Sequence, residues 1–246
     1  MAACTGDSQS NDAKFTDLAN EVLQDTFQRY PTWATALGIH AYDEKLEDYS
    51  RQAVADALRV TRTFRDRIDA IPENTLSLGN QLDRAQLLHA LESRILTLDV
   101  VREWQKDPDV YASGIAHTAY LMIKRSFATP EERLKRLIAR EKLMIGVLAE
   151  ARRNIENPPR IYVEIALEQI DSNRDLFKDA VTEAFQHARL QFLVLVSVRQ
   201  VAQEFFGYLC FKRLVVNRSG DCNWANCTGR YNYRIAVHAE GRAGIR

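Results

Sequence analysis

Proline placement constrains this chain more than any other feature. All six prolines lie at or before Pro159, and they fall between stretches in which apolar residues recur every three or four positions. That spacing puts the apolar residues on one face of a helix. Phe15, Leu18, Val22, Leu23 and Phe27 define a first helix over residues 13–30, with Asp12 placed to cap it and Pro31 to end it. A short helical piece over 32–37 should stop at Gly38, which tolerates the left-handed turn that closes a helix.

Ser50 is a second cap, and a helix is predicted from Arg51 to Ile71. Another is predicted over 81–105, with Leu82, Ala85, Leu88, Leu91, Ile95 and Leu98 as its stripe, and a further one over 110–127. Thr129-Pro130-Glu131-Glu132 is the clearest start signal in the chain, because threonine caps, proline suits the first turn and Glu132 completes a capping box. That helix should run to about Ile155. Asn157-Pro158-Pro159 is a turn, after which helix resumes to about Phe206 with a break expected near Asp171-Ser172. The expectation is an all-α, antiparallel multi-helix bundle over residues 13–206, preceded by a flexible tether (1–12) and followed by an irregular tail (207–246).

Charge excludes some function classes. The 33 basic and 33 acidic residues cancel, so nothing overall calls for nucleic acid or an anionic surface. The basic run from Arg133 to Lys142 has no aromatic or glycine-rich reader beside it, so it reads as a solvated helix face. No stretch is long and apolar enough to span a bilayer. The tail differs in composition. From Gly207 onward there are seven Lys or Arg against two acids, five of the ten glycines and three of the four cysteines. Cys222 and Cys227 are spaced for a disulfide, but the set Cys210, Cys222, Cys227 and His238 lacks the paired spacing of a zinc knuckle. Met1 to Ser8, MAACTGDS, resembles the end of a bacterial lipoprotein signal, which makes Cys4 the candidate for lipidation and lipid anchoring.

The segment from Tyr30 to Ser50 is the long break in the helical rhythm. His40, with Asp43 and Asp48 nearby, is either an acid–base group tuned by a carboxylate or part of a loop whose polar side chains tie down backbone groups. The second reading is preferred, with His40, Asp43 and Asp48 as candidate cleft-lining residues. His89 should be a partly buried helix residue, and Trp104, Tyr111 and Tyr120 core aromatics.

Pro31, Ala34-Thr35, Gly38, His40, Asp43, Leu46, Asp48 and Ser50 together resemble the N-terminal signature of the bacterial domain of unknown function 885 family, whose members are often lipoproteins. Trp104, Asp107-Pro108 and Tyr111 extend the resemblance, as do Leu148, Ala151, Asn154, Asn157-Pro158-Pro159 and Ala166. The resemblance implies a larger helical protein similar to zinc metallopeptidases, with a peptide substrate and a His-Glu-x-x-His-like zinc motif far downstream. Such a motif needs two histidines one helical turn apart. His40, His89, His117, His187 and His238 offer no such pair, so no catalytic, metal or cofactor residue is assigned here. Beyond about Gln200 the resemblance is expected to lapse, as an out-of-frame or truncated end would make it, or else as a genuine β-rich or disordered extension.

Two functional classes follow. The chain is the N-terminal helical portion of a metallopeptidase-like protein, inactive alone, or it is a helical binding module. A preceding signal would make it periplasmic or membrane-anchored. Without one it would be cytoplasmic.

Overall fold

The computed structural model describes the backbone of residues 5–186 and the side chains of 11–186 apart from 170, 171, 174 and 178. The regular elements among those residues are all helical, with no strand among them. Cys4 and residues 187–246, including the expected helix to Phe206 and the whole tail, lie outside the described residues.

Helices α1 (Thr5–Arg29), α3 (Arg51–Asp69) and α4 (Leu78–Ile95) form a first bundle around Phe15, Leu18, Val22, Ile68, Leu76 and Leu91. Ser50 caps α3, accepting from the Ala53 amide at 3.2 Å. The α3–α4 hairpin turns through a short 3₁₀ segment, Glu73–Thr75. Helix α1 starts earlier than the sequence suggested, at Thr5, so residues 5–12 of the stretch expected as a tether are helical and Asp12 lies inside the helix. Its carboxylate caps a different helix. Asp12 Oδ1 accepts from the Ser77 amide at 3.0 Å, from Ser77 Oγ at 3.2 Å and from Asn80 Nδ2 at 2.7 Å, covering one orphan backbone donor and two side chains at the start of α4. These bonds hold its carboxyl below the usual carboxylate range, the Ser77 amide first among them.

A second bundle is centred on α6 (Asp109–Lys124), which lies against α7 (Pro130–Asn154) and α8 (Arg160–Asp175). Tyr111, Ile115, Met122, Leu134, Leu137, Met144, Leu148 and Phe177 are among its buried residues. The capping box at Thr129 is present, with both reciprocal bonds to Glu132. Asn157, at φ +46°, supplies the left-handed turn before Pro158. Short α2 (Pro31–Ala36) bridges the two bundles by touching α1 and α6. Gly38, at φ +85°, ends it. The Gly38 amide bonds Thr35 O and the Ile39 amide bonds Ala34 O, the paired bonds of a Schellman turn.

Two further boundaries differ from expectation. The predicted helix over 81–105 stops at Ile95, widens into a π-helical turn (Leu96–Val101) and breaks at Arg102, before the one-turn α5 (Glu103–Lys106). Leu82 and Ala85, expected inside, are exposed. No break occurs at Asp171-Ser172. The deviation comes later, as a second π-helical turn (Leu176–Ala180) leading into α9 (Val181–Ala184).

Candidate functional site

A cleft of about 1050 Å³ opens at the junction of the two bundles. Its walls come from the end of α1, residues 46–50, the first half of α3, the end of α4, the π-helical turn and α5.

Two irregular segments shape it, and the first is the π-helical turn. Arg102 sits at φ +55°, an unfavourable left-handed conformation for a residue with a Cβ. Its surroundings fix it there. The Arg102 amide bonds Thr97 O at 2.9 Å, Arg102 Nε bonds Asp99 O at 2.7 Å, and Arg62 Nη2 pairs with Asp99 Oδ2 at 2.6 Å. Trp104 then donates Nε1 to Leu98 O at 3.1 Å, which sets the indole at the cleft wall. Turns of this kind recur at functional sites.

The second is the segment over residues 40–50, fixed from behind by an interior charge cluster. Asp43 is buried. Its Oδ2 lies 2.9 Å from His40 Nδ1 and accepts from Arg136 Nη1 at 2.7 Å, while its Oδ1 is 2.6 Å from Thr35 Oγ1. Arg140, on α7, is 0% exposed. Its Nη2 donates to Thr35 Oγ1 at 2.7 Å and to the Pro31 and Tyr42 carbonyls at 3.2 and 3.3 Å. Burial pulls its pKa down, and the Asp43 and Glu47 carboxylates oppose that pull. His40 stacks on Phe127 with ring centroids 3.8 Å apart, and Arg136 lies over the same ring. Glu47 carries the arrangement to the cleft. It takes the Thr32 amide at 3.0 Å and Thr32 Oγ1 at 2.9 Å while lining the cleft itself.

The floor is tied by Tyr111 and Asn154. Tyr111 OH donates to Trp104 O. Asn154 Nδ2 donates to Tyr49 O at 2.6 Å and to Tyr111 OH at 3.2 Å. Burial pushes the Tyr111 phenol up to about 12 and drives that of Tyr49 higher still. Asp107 Oδ1 takes the Asp109 amide at 2.9 Å and so starts α6. Burial raises its pKa, and that bond opposes the rise.

Of the residues singled out in the sequence, Asp48 lines the cleft, where its Oδ1 accepts the Ser50 amide at 2.8 Å. His40 and Asp43 lie in the charge cluster rather than among the lining residues. His89 is exposed on the cleft wall instead of partly buried. Tyr111 is in the core, Trp104 is half-buried and Tyr120 is exposed. The largest miss is the Arg133–Lys142 run, which is not a solvated face. Arg133, Arg136 and Arg140, three and four residues apart, turn inward, and Lys135 and Lys142 face out. The signal was there in the choice of Arg over Lys, since a guanidinium can feed several acceptors from inside a protein.

These residues do not fit a zinc site. Among the described residues no three His, Cys, Asp or Glu side chains converge as metal ligands. The His40–Asp43 pair is flanked by Arg136 and backed by Arg140, a cationic setting that disfavours a dication. Among the described residues no helix is long and apolar enough to cross a membrane.

The family model for "Bacterial protein of unknown function (DUF885)" matches residues 31–244. The chain belongs to that family. The match runs through the segment beyond Gln200, where the sequence led us to expect the resemblance to lapse. Among solved structures the chain resembles a "putative lipoprotein of unknown function from Shewanella oneidensis", with a TM-score of 0.73 and 22% identity. The likeness covers 82% of this chain and 38% of that one, so it concerns the fold, and the chain spans well under half of that relative's length. No curated protein matches. Several residues that carried the resemblance in the sequence have visible structural roles. Thr35, Gly38, His40, Asp43, Trp104, Asp107, Tyr111 and Asn154 hold the cleft's walls and floor in place.

Proposed function

We propose that the described residues are the ligand-binding wall of a metallopeptidase-like protein, with a peptide as ligand and the hydrolytic chemistry carried by residues outside residues 5–186. The observation that carries this reading is the cleft itself: about 1050 Å³, at the junction of two bundles, with a strained π-helical turn in its wall. A pocket of that size suits a segment of several residues. Binding of a randomised hexapeptide pool to the full chain, followed by Trp104 fluorescence quenching or calorimetry, tests it. Saturable binding is expected, weakened about tenfold by Trp104→Ala. A chain that binds no peptide at millimolar concentration contradicts it.

The alternative, a helical module that holds a protein partner, is favoured by Ile161 and Ile165, exposed one turn apart on α8. Ile165→Lys would then abolish partner capture and leave peptide binding untouched.

We also propose that Cys4 carries lipid and holds the protein at a membrane surface. The description of the Shewanella protein supports this, as does the sequence around Cys4. Helix α1 begins at the next residue, so the anchor would sit directly on the fold without a spacer. Mass spectrometry of membrane-extracted protein should show an acyl mass that Cys4→Ser lacks.

A further inference from the structure

Among the described residues, one cation of the cleft is held in place without a carboxylate partner. Arg29 Nε pairs with both oxygens of Asp25, at 3.0 and 2.8 Å, and Arg59 pairs with Asp56 at 3.5 Å. Arg94 is half-buried and lines the same cleft, and it makes no ion pair with any described residue. Its guanidinium carbon lies 4.5 Å from the centroid of the Tyr30 ring, and its Nη1 donates to Thr26 Oγ1 at 3.2 Å. The ring and the hydroxyl hold the guanidinium at this wall. Nε and Nη2 have no acceptor among the described residues. A partly desolvated guanidinium held in this way is pre-organised for a planar anion, to which it can give two parallel hydrogen bonds.

The rest of the lining says which anion. The cleft carries five carboxylates against three guanidiniums, so its wall is net negative. A phosphate dianion would be repelled by that surplus, whereas a single carboxylate is matched by Arg94 alone. The surplus of acid favours a positive charge elsewhere on the same ligand. Glu103, exposed on the lining at α5 and without an ion pair among the described residues, faces that need.

We propose that Arg94 is the carboxylate anchor of the cleft and that the ligand is a zwitterion, a peptide bound through its C-terminal carboxylate with its cationic part towards Glu103. The inference rests on the cleft being a peptide-binding site.

The test compares two randomised hexapeptide pools, one with free C-termini and one amidated, on the full chain and on Arg94→Gln. Inorganic phosphate at about 10 mM serves as competitor. The free-acid pool should bind the unaltered chain about tenfold more tightly than the amide. Arg94→Gln should bind both pools alike, at the affinity of the unaltered chain for the amide, and phosphate should displace neither. Equal binding of acid and amide by the unaltered chain overturns the carboxylate assignment and leaves the cleft reading standing. So does displacement by phosphate that Arg94→Gln abolishes, which would make the anion a phosphate group. Retention of the acid preference by Arg94→Gln overturns the role of Arg94. Failure of both pools to bind overturns the cleft reading itself. The comparison on the unaltered chain needs no variant, so a poorly folding Arg94→Gln would not rescue the proposal.

Discussion

The bundle of α1, α3 and α4 and the bundle around α6 are built from the same element, yet they hold together differently. In the first, six buried apolar residues among those described form the core, and Leu78 and Leu82 on α4 remain 73% and 65% exposed. Helices α1 and α3 are joined by the exposed pair Arg67–Glu21, of the kind that contributes little. The second buries fifteen apolar residues among those described, and its polar interior includes Arg140, Thr118, Asn154 and Asn173. Burial area dominates stability, so the second bundle is the scaffold and the first the softer jaw of the cleft.

The largest effect should come from the charge cluster. Arg140→Ala removes the bonds to Thr35, Pro31 and Tyr42 and leaves Asp43 buried with less compensation, which should cost about 3–5 kcal/mol in denaturant unfolding. A loss under about 1 kcal/mol would mean that the cluster does not hold the 40–50 segment. Next, Leu137→Ala in the second core should cost about 4 kcal/mol, and Leu91→Ala in the first about 2. Equal costs would erase the distinction between scaffold and jaw.

Smaller, Tyr111→Phe should cost about 1–2 kcal/mol, because it strips the donor to Trp104 O and the acceptor for Asn154. The Tyr111 phenol is raised from 10.0 to about 12, so its contribution is complete below pH 10 and lost as pH rises towards 12. Tyr111→Phe should therefore flatten the alkaline limb of a stability–pH curve. The smallest effect belongs to Asp12. Its folded pKa lies below 3.8, so its contribution is present above that pH and is lost as pH falls through the folded value. Asp12→Asn should weaken that acid dependence and speed amide exchange at the start of α4. An unchanged acid limb would show that the cap contributes nothing.

How far the sequence revealed this depends on the residue. Proline and three-four spacing located most helices, and the capping box at Thr129 and the stop at Gly38 were readable from local chemistry alone. The π-helical turn was not. Nothing within residues 96–102 breaks a helix; the bonds to Thr97, Asp99 and Leu98 at the break are local, and the Arg62–Asp99 pair that adds to them spans 37 residues and has no mark in the sequence. Asp12 was read as a cap for its own helix because sequence shows only local partners, and its actual partners are 65 and 68 residues away. For the site, Asp48 was legible as a loop residue, whereas Arg94 was not singled out. A lone arginine in a helix carries no spacing signal, and its isolation from carboxylates exists only in three dimensions.

Hydrogen exchange of the full chain with and without the hexapeptide pool tests the cleft as a peptide site most directly. Protection should be confined to the segments that line the cleft, 25–30, 46–59, 89–98 and 103–110, with α7 and α8 unchanged. Protection of α8 around Ile161 and Ile165, with the cleft segments unaltered, would contradict it.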